Sequence, residues 1–220
     1  MTLLNVVLLL PLAGFLAALF LPRENQALIR GFTLTVSAAA FLASLGLALP
    51  QAPAESGYWF ETNVGWIDFP TIRYHVGLDG LSLWLVILST LLTPIAVLVS
   101  WRSIGKQVKE FHAFLLLLEC GLIGVFASLD LFLFYVFWEV SLVPMYFLIG
   151  VWGHERRIYA AVKFFLFTMT GSVLMLAAMI YIYNQTGTFD YPVLVNMLAS
   201  GRWMPGAAEQ TPLFLAFFLA

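Results

Sequence analysis

Glu119, Glu139 and Lys163 are ionisable residues set inside long apolar runs, where chemistry is the first question to ask of them. Glu139 lies eight positions after Leu131, about 12 Å down a helix at 1.5 Å per residue. An ionisable side chain near mid-membrane costs at least about 2.5–3.5 kcal/mol on insertion scales, so Glu139 is expected to face a protein partner or water and to handle protons. A packing acid that only fixes helix contacts is the alternative. Pro144 removes a backbone donor and frees a carbonyl one turn from Glu139, which lets the helix bend and admit water; proline is also common in membrane helices generally. Glu119 lies in the preceding run, about 12 Å along from Phe111. The turn Ser128-Leu129-Asp130 is so short that the two runs form an antiparallel hairpin. Each acid is about nine residues from that turn, at similar depth, so the pair are candidates for one proton route and would repel if they met. A singly hydrogen-bonded structural acid is the equal alternative for Glu119. Lys163, six residues into the next run, is either a relay base able to counter Glu139 or a base whose stem snorkels to the headgroups.

Other polar residues point to local roles. Asp79 and Asp130 stand where helices begin and suit helix amino termini. His154 belongs to the loop WGHERR and is expected to be solvated. His75 and His112 are distant from it and from each other, with no ligand spacing, so no metal site is expected. The single Cys120 has no partner for a disulfide, and no glycine-rich phosphate loop appears. No cofactor is therefore expected on this chain.

The elements that must hold these residues are membrane helices. The chain is 62% hydrophobic and only 10% charged, against about 25% charged in soluble domains. A net charge of −2 gives no basic surface for nucleic acid. Runs of about 20 apolar residues predict six complete spans: Leu3–Leu21, Ala27–Leu49, Val76–Trp101, Phe111–Leu129, Leu131–Val151 and Ile158–Tyr183. A seventh run starts at Thr211 and reaches only Ala220, half a span, so the helix is expected to continue beyond it. The first span lacks a basic flank and a cleavage pattern and is expected to be retained. The fold class is thus all-α, a polytopic transmembrane bundle. Arg23 and Arg30, then Arg102, Lys106 and Lys109, then Arg156 and Arg157 fall in alternate loops, which predicts those loops in the cytoplasm and the amino terminus outside. The loop from Pro50 to His75, with Tyr58, Trp59, Trp66 and Tyr74, reads as an interfacial segment.

Three stretches carry a resemblance. HVGLDGLSLW (75–84) with LTPIA (92–96) and Ser100-Trp101 is similar to the third helix of the chain M family of antiporter-like subunits of respiratory NADH:quinone oxidoreductase, complex I. LDLFLFYVFWEVSLVPMYFLIGVWGH (129–154) resembles its fifth helix, whose key glutamate falls on Glu139, and RIYAAVKFFLFTMTGS (157–172) its sixth. The resemblance implies a three-helix region over 1–110 and the start of a proton-conducting domain over 111–220, in a full chain of about fourteen helices. It implies proton translocation through a glutamate–lysine charge relay, the lysine lying in a broken seventh helix beyond Ala220. It places flavin, iron–sulfur clusters and quinone in other subunits, makes chains L and N the neighbours, and puts the protein in the bacterial inner membrane. Subunits of sodium/proton antiporters and membrane-bound hydrogenases share the superfamily and supply the alternative function; a passive membrane scaffold is a further one.

Overall fold

The computed structural model describes residues 2–49 and 57–220. Among these residues eight α-helices follow in order: α1 Leu3–Ala18, α2 Gln26–Leu45, α3 Ser82–Ser103, α4 Val108–Ala127, α5 Leu131–Trp152, α6 Arg157–Thr186, α7 Tyr191–Ala199 and α8 Ala207–Phe218, with a 3-10 turn at Gly46–Ala48 after α2. Between α2 and α3 lies an antiparallel hairpin of β1 Trp59–Ile67 and β2 Ile72–Leu78. Five helices, α2 to α6, are long and apolar enough to cross a membrane; α1 is apolar but only 16 residues long. The chain is a mostly helical, membrane-embedded, multi-pass protein.

The hairpin departs from the all-α expectation. Val76 to Leu78 belong to β2, so the third span does not begin at Val76; its helix begins at Ser82. The break has a local cause. Asp79 Oδ1 accepts from the backbone of Leu81 and Ser82, turning the chain into the helix, while Val76, Leu78 and Ile72 are buried on the strand. Hydropathy alone merged an apolar strand with an apolar helix. The part of the Pro50–His75 loop that is described is therefore largely strand, and its residues 50–56 lie outside the described residues. The connection after α6 likewise holds a helix, α7, that span-reading passed over.

α4 is the central helix, packed against α1, α2, α3 and α5. Glycines set the α4–α5 contact: a Cβ on Gly121 would lie 3.1 Å from Ser141, and one on Gly124 would overlap the Phe137 ring. α2 and α3 meet through small hydroxyl residues, with Ser44 and Thr90 hydrogen bonded at 2.7 Å, as membrane interfaces commonly do. At one end the bases of the alternate loops satisfy helix carboxyl termini. Lys109 donates to the carbonyls of Leu19 and Leu21, Arg30 to Ile104, and Trp152 to Lys106. We call this the basic end.

The opposite, hairpin end is closed by backbone pairing between remote segments. Leu129 N–H donates to His75, Leu131 N–H to Phe189 and Tyr191 N–H to Leu129, all at 2.8–2.9 Å. Residues 128–130 thus act as a short extra strand between β2 and the start of α7. The core beneath joins Leu4, Val7 and Leu8 of α1 to Val76, Val86, Cys120 and Ile123.

Candidate functional site

Glu139 sits in α5, which runs unbroken from Leu131 to Trp152 through Pro144. Pro144 is buried and, having no N–H, cannot donate to the Val140 carbonyl next to Glu139. Gly150 of α5 lies against Ala161 of α6; counting back along the antiparallel pair puts Glu139 level with Ser172. Tyr135, one turn before Glu139, bears this out, since its phenol interacts with both Glu139 and Ser172. Glu139 is half-buried and its Oε1 is buried without a hydrogen-bond partner among the described residues. A buried acceptor in that state calls for water or a partner still to arrive.

Glu119 is 1% exposed and both its oxygens lack partners among the described residues. The structure does not bring it to Glu139. Gly121 and Gly124 face α5, and Glu119 is about 200° of helical turn from Gly121, on the far side of α4. Glu139 is likewise about 200° round from Phe137, which faces α4. The two acids occupy similar depths on opposite flanks of one helix pair, so they do not meet and do not repel as direct neighbours.

Lys163 lies exposed on α6, with Nζ 5.9 Å from the Tyr159 ring centroid and Arg156 6.0 Å from the same ring. Such stacking favours a cation. It is nine residues from Ser172, about 13 Å short of the level of Glu139. His154 is exposed in the α5–α6 turn, as expected of a loop residue. His112 is fully buried in α4, its Nδ1 2.8 Å from the Val108 carbonyl and its Nε2 without a partner.

The reading of isolated histidines missed the hairpin end. His75 is 2% exposed, its Nδ1 2.8 Å from Asp190 and its Nε2 2.8 Å from Glu61. Burial by itself pulls the His75 pKa down, but hydrogen bonds and charge from Asp190 and Glu61 outweigh it and hold the pKa above the ordinary histidine value. Asp190 shows the converse: burial works upward, and the bonds from His75 and the Val193 N–H hold its carboxyl below the usual range. Asp130 caps α5, accepting from the backbone of Phe132, Leu133 and Arg73, yet burial pushes its pKa up. Among the described residues, no group of His, Cys, Asp and Glu has the arrangement of a metal site. The signal that could have found the cluster is the pairing of β2 with β1, which sets Asn63 opposite His75. Asp190 offered none, because it joins the cluster only through the tertiary fold.

Comparison with known proteins bears on this geometry. Residues 128–220, which include Glu139, Pro144 and Lys163, match the family model described as NADH:quinone oxidoreductase/Mrp antiporter, transmembrane. The chain is 41% identical over 216 residues to NADH-ubiquinone oxidoreductase chain 4 of Marchantia polymorpha, covering 98% of this chain and 42% of that protein. It is 39% identical over 227 residues to NADH-quinone oxidoreductase subunit M of Rhodobacter capsulatus, covering 98% and 44%. A chain of respiratory complex I from Thermus thermophilus with bound NADH superposes with a TM-score of 0.81 at 28% identity, over 99% of this chain and 43% of that one. The chain thus spans less than half the length of these relatives.

Proposed function

Because the chain belongs to the family of antiporter-like membrane subunits of NADH:quinone oxidoreductase, we propose that its full-length protein is a proton-translocating, membrane-arm subunit of chain M type. The observation that carries this is Glu139, half-buried between α5 and α6 with an oxygen that has no hydrogen-bond partner among the described residues, in the segment that the family model matches. Such an acid can hold a proton or a negative charge in place and couple to a neighbouring charge. Charge arriving from an adjoining subunit would alter the pairing of Glu139 with a lysine of the following helix and move a proton through transient water. Leu219 and Ala220 pack against Gly171, beside Ser172 at the level of Glu139. Redox chemistry belongs to the assembly, and flavin, iron–sulfur clusters and quinone to other subunits.

The finer reading has six spans followed by a seventh, in a chain of about fourteen helices, with residues 1–110 supporting a conducting domain that starts at 111. Chains L and N are the neighbours, and the membrane is the bacterial inner membrane with the amino terminus outside. Glu119 and Lys163 have lesser roles, Glu119 as a buried acid flanking α4 and Lys163 as a snorkelling base near the basic end. A cation/proton exchanger is the second reading, which the joint name of the family model admits; it predicts sodium-dependent exchange without quinone turnover.

The test is proton pumping per electron in membranes carrying full-length Glu139→Gln, with assembly checked in the same preparation. Normal assembly with pumping largely lost supports the role of Glu139. Undiminished pumping would sink it and promote the scaffold reading, in which Glu139→Ala disturbs assembly alone.

A further inference from the structure

His75 touches an acid through each ring nitrogen, with Nδ1 2.8 Å from Asp190 Oδ2 and Nε2 2.8 Å from Glu61 Oε1. A neutral imidazole carries one N–H and an ionised carboxylate carries none, so one of those contacts would set two acceptors face to face. Both are hydrogen bonds only when the three groups together hold two protons. The His75 side chain is 2% exposed and that of Asp190 7%, so an unmet acceptor there would be costly. The second proton belongs on the ring, since Asp190 also accepts from the Val193 N–H, which favours its ionised form. The geometry is that of an imidazolium between two carboxylates.

Removing one proton must break one of the two bonds, and the two acids are not held alike. Asp190 caps α7 and its backbone pairs with Asp130. Glu61 sits in a β-bulge: Trp59 pairs with Leu78 and Thr62 with Val76, so Phe60 and Glu61 together oppose Gly77. The ladder is interrupted at such a bulge. The Glu61 side chain is also the more exposed, at 18%, and turns to water at less cost than Asp190. The charged and titratable groups around His75 are Glu61 with Tyr58 on the β1 side, Arg73 on β2, Asp130 before α5, and Asp190 with Tyr191 at α7. Asp79, at the entry to α3, lies beyond Tyr58.

We propose that Glu61, His75 and Asp190 form a proton-binding site at the hairpin end, whose bound proton latches the β1 bulge to β2 and α7 and whose loss releases Glu61 to water. On release the Nε2–H bond of the imidazolium breaks and its proton passes to water beside Glu61. The Nδ1–H bond stays with Asp190, and no electron moves. The site stands apart from Glu139 and does not depend on the role given to that acid. It makes the order of the bulge follow proton activity at the hairpin face. Phe60, which packs on the core shared by α1 and α4, is the residue whose seat loosens on release.

The test is amide hydrogen exchange, read by mass spectrometry on the full-length chain in its assembled complex from about pH 6 to about pH 9, which spans the ordinary histidine range. Each rate is corrected for the intrinsic pH dependence of exchange. Protection of Phe60 to Thr62 is expected to fall about tenfold across that range, while Val64 and Gly65, in register with Tyr74 and Arg73, change less than about twofold. In Glu61→Gln the fall should vanish with protection kept, because an amide accepts from a protonated ring and donates to a neutral one. In His75→Gln protection of the bulge should be low at every pH; if that variant fails to assemble, Glu61→Gln carries the test. Protection that does not change with pH in the unaltered chain overturns the latch, as does a fall in Glu61→Gln as large as in the unaltered chain. Opening of Asp190 to Val193 with Phe60 to Thr62 still protected overturns the release given to Glu61.

Discussion

His75 is the residue whose replacement should be most visible in stability. Its raised pKa means that its contribution is complete below the unfolded value of about 6.5 and is lost as pH climbs through the higher folded value. The purified protein is therefore expected to lose thermal stability as pH rises from about 6.5. In His75→Gln that slope should flatten, and at low pH the variant should be less stable by about 3 kcal/mol, because two carboxylates lose their shared cation. Melting curves across pH for both proteins check this, and parallel curves would refute it. Lys163→Ala is expected to change pumping less than twofold, since its ammonium stacks on Tyr159 well short of Glu139; a loss like that of Glu139→Gln would make it a relay base. Glu139 was legible from sequence because an acid inside an apolar run announces its own cost. The His75 cluster was not, since His75 and Asp190 are 115 residues apart and neither is unusual in its local context.

At the scale of elements, the α4–α5 hairpin is held by close approach at two glycines, and its geometry decides where the acids point. Gly124→Ala would place a methyl in the Phe137 ring, so it should push the helices apart and cost about 1–3 kcal/mol. Thermal denaturation in detergent should show the loss, and Gly31→Ala, which meets nothing nearby, should not. The start of α5 depends on Asp130, which accepts three backbone N–H bonds. Asp130→Ala is expected to destabilise by about 1–2 kcal/mol, with Asp130→Asn recovering most of it because an amide oxygen can still accept. The helices from α4 to α6 were readable to within three residues at each end, since each apolar run is bounded by charge, Gly or a capping Asp. The hairpin was not, because Ile72, Val76 and Leu78 add the same hydropathy to a strand as to a helix. Which faces of α4 and α5 meet was also hidden, since it turns on the small size of Gly121 and Gly124.

For the whole molecule, the separation of a basic end from a hairpin end makes the orientation a direct question. With the basic loops in the cytoplasm, Val64→Cys on the exposed edge of β1 should react with an impermeant maleimide in intact cells, and Arg156→Cys should react only after the membrane is opened. The reverse pattern would invert the proposed topology. Charge alternation along the sequence grouped the basic loops together, and the contacts of Lys109, Arg30 and Trp152 set them at one end of the bundle. What closes each end was beyond it, because the closing contacts are backbone bonds and carbonyl caps between segments far apart in the chain.

That closure also carries a timetable for biogenesis. The backbone bond from Tyr191 to Leu129 and the His75–Asp190 contact both need residues that leave the ribosome only after α6 has been made. While α3 to α6 are being made, β2 holds its bonds to β1 and to Leu129, and the contact from Asp190 is added last. Synthesis into α7 is thus the step that completes the closure of the hairpin end.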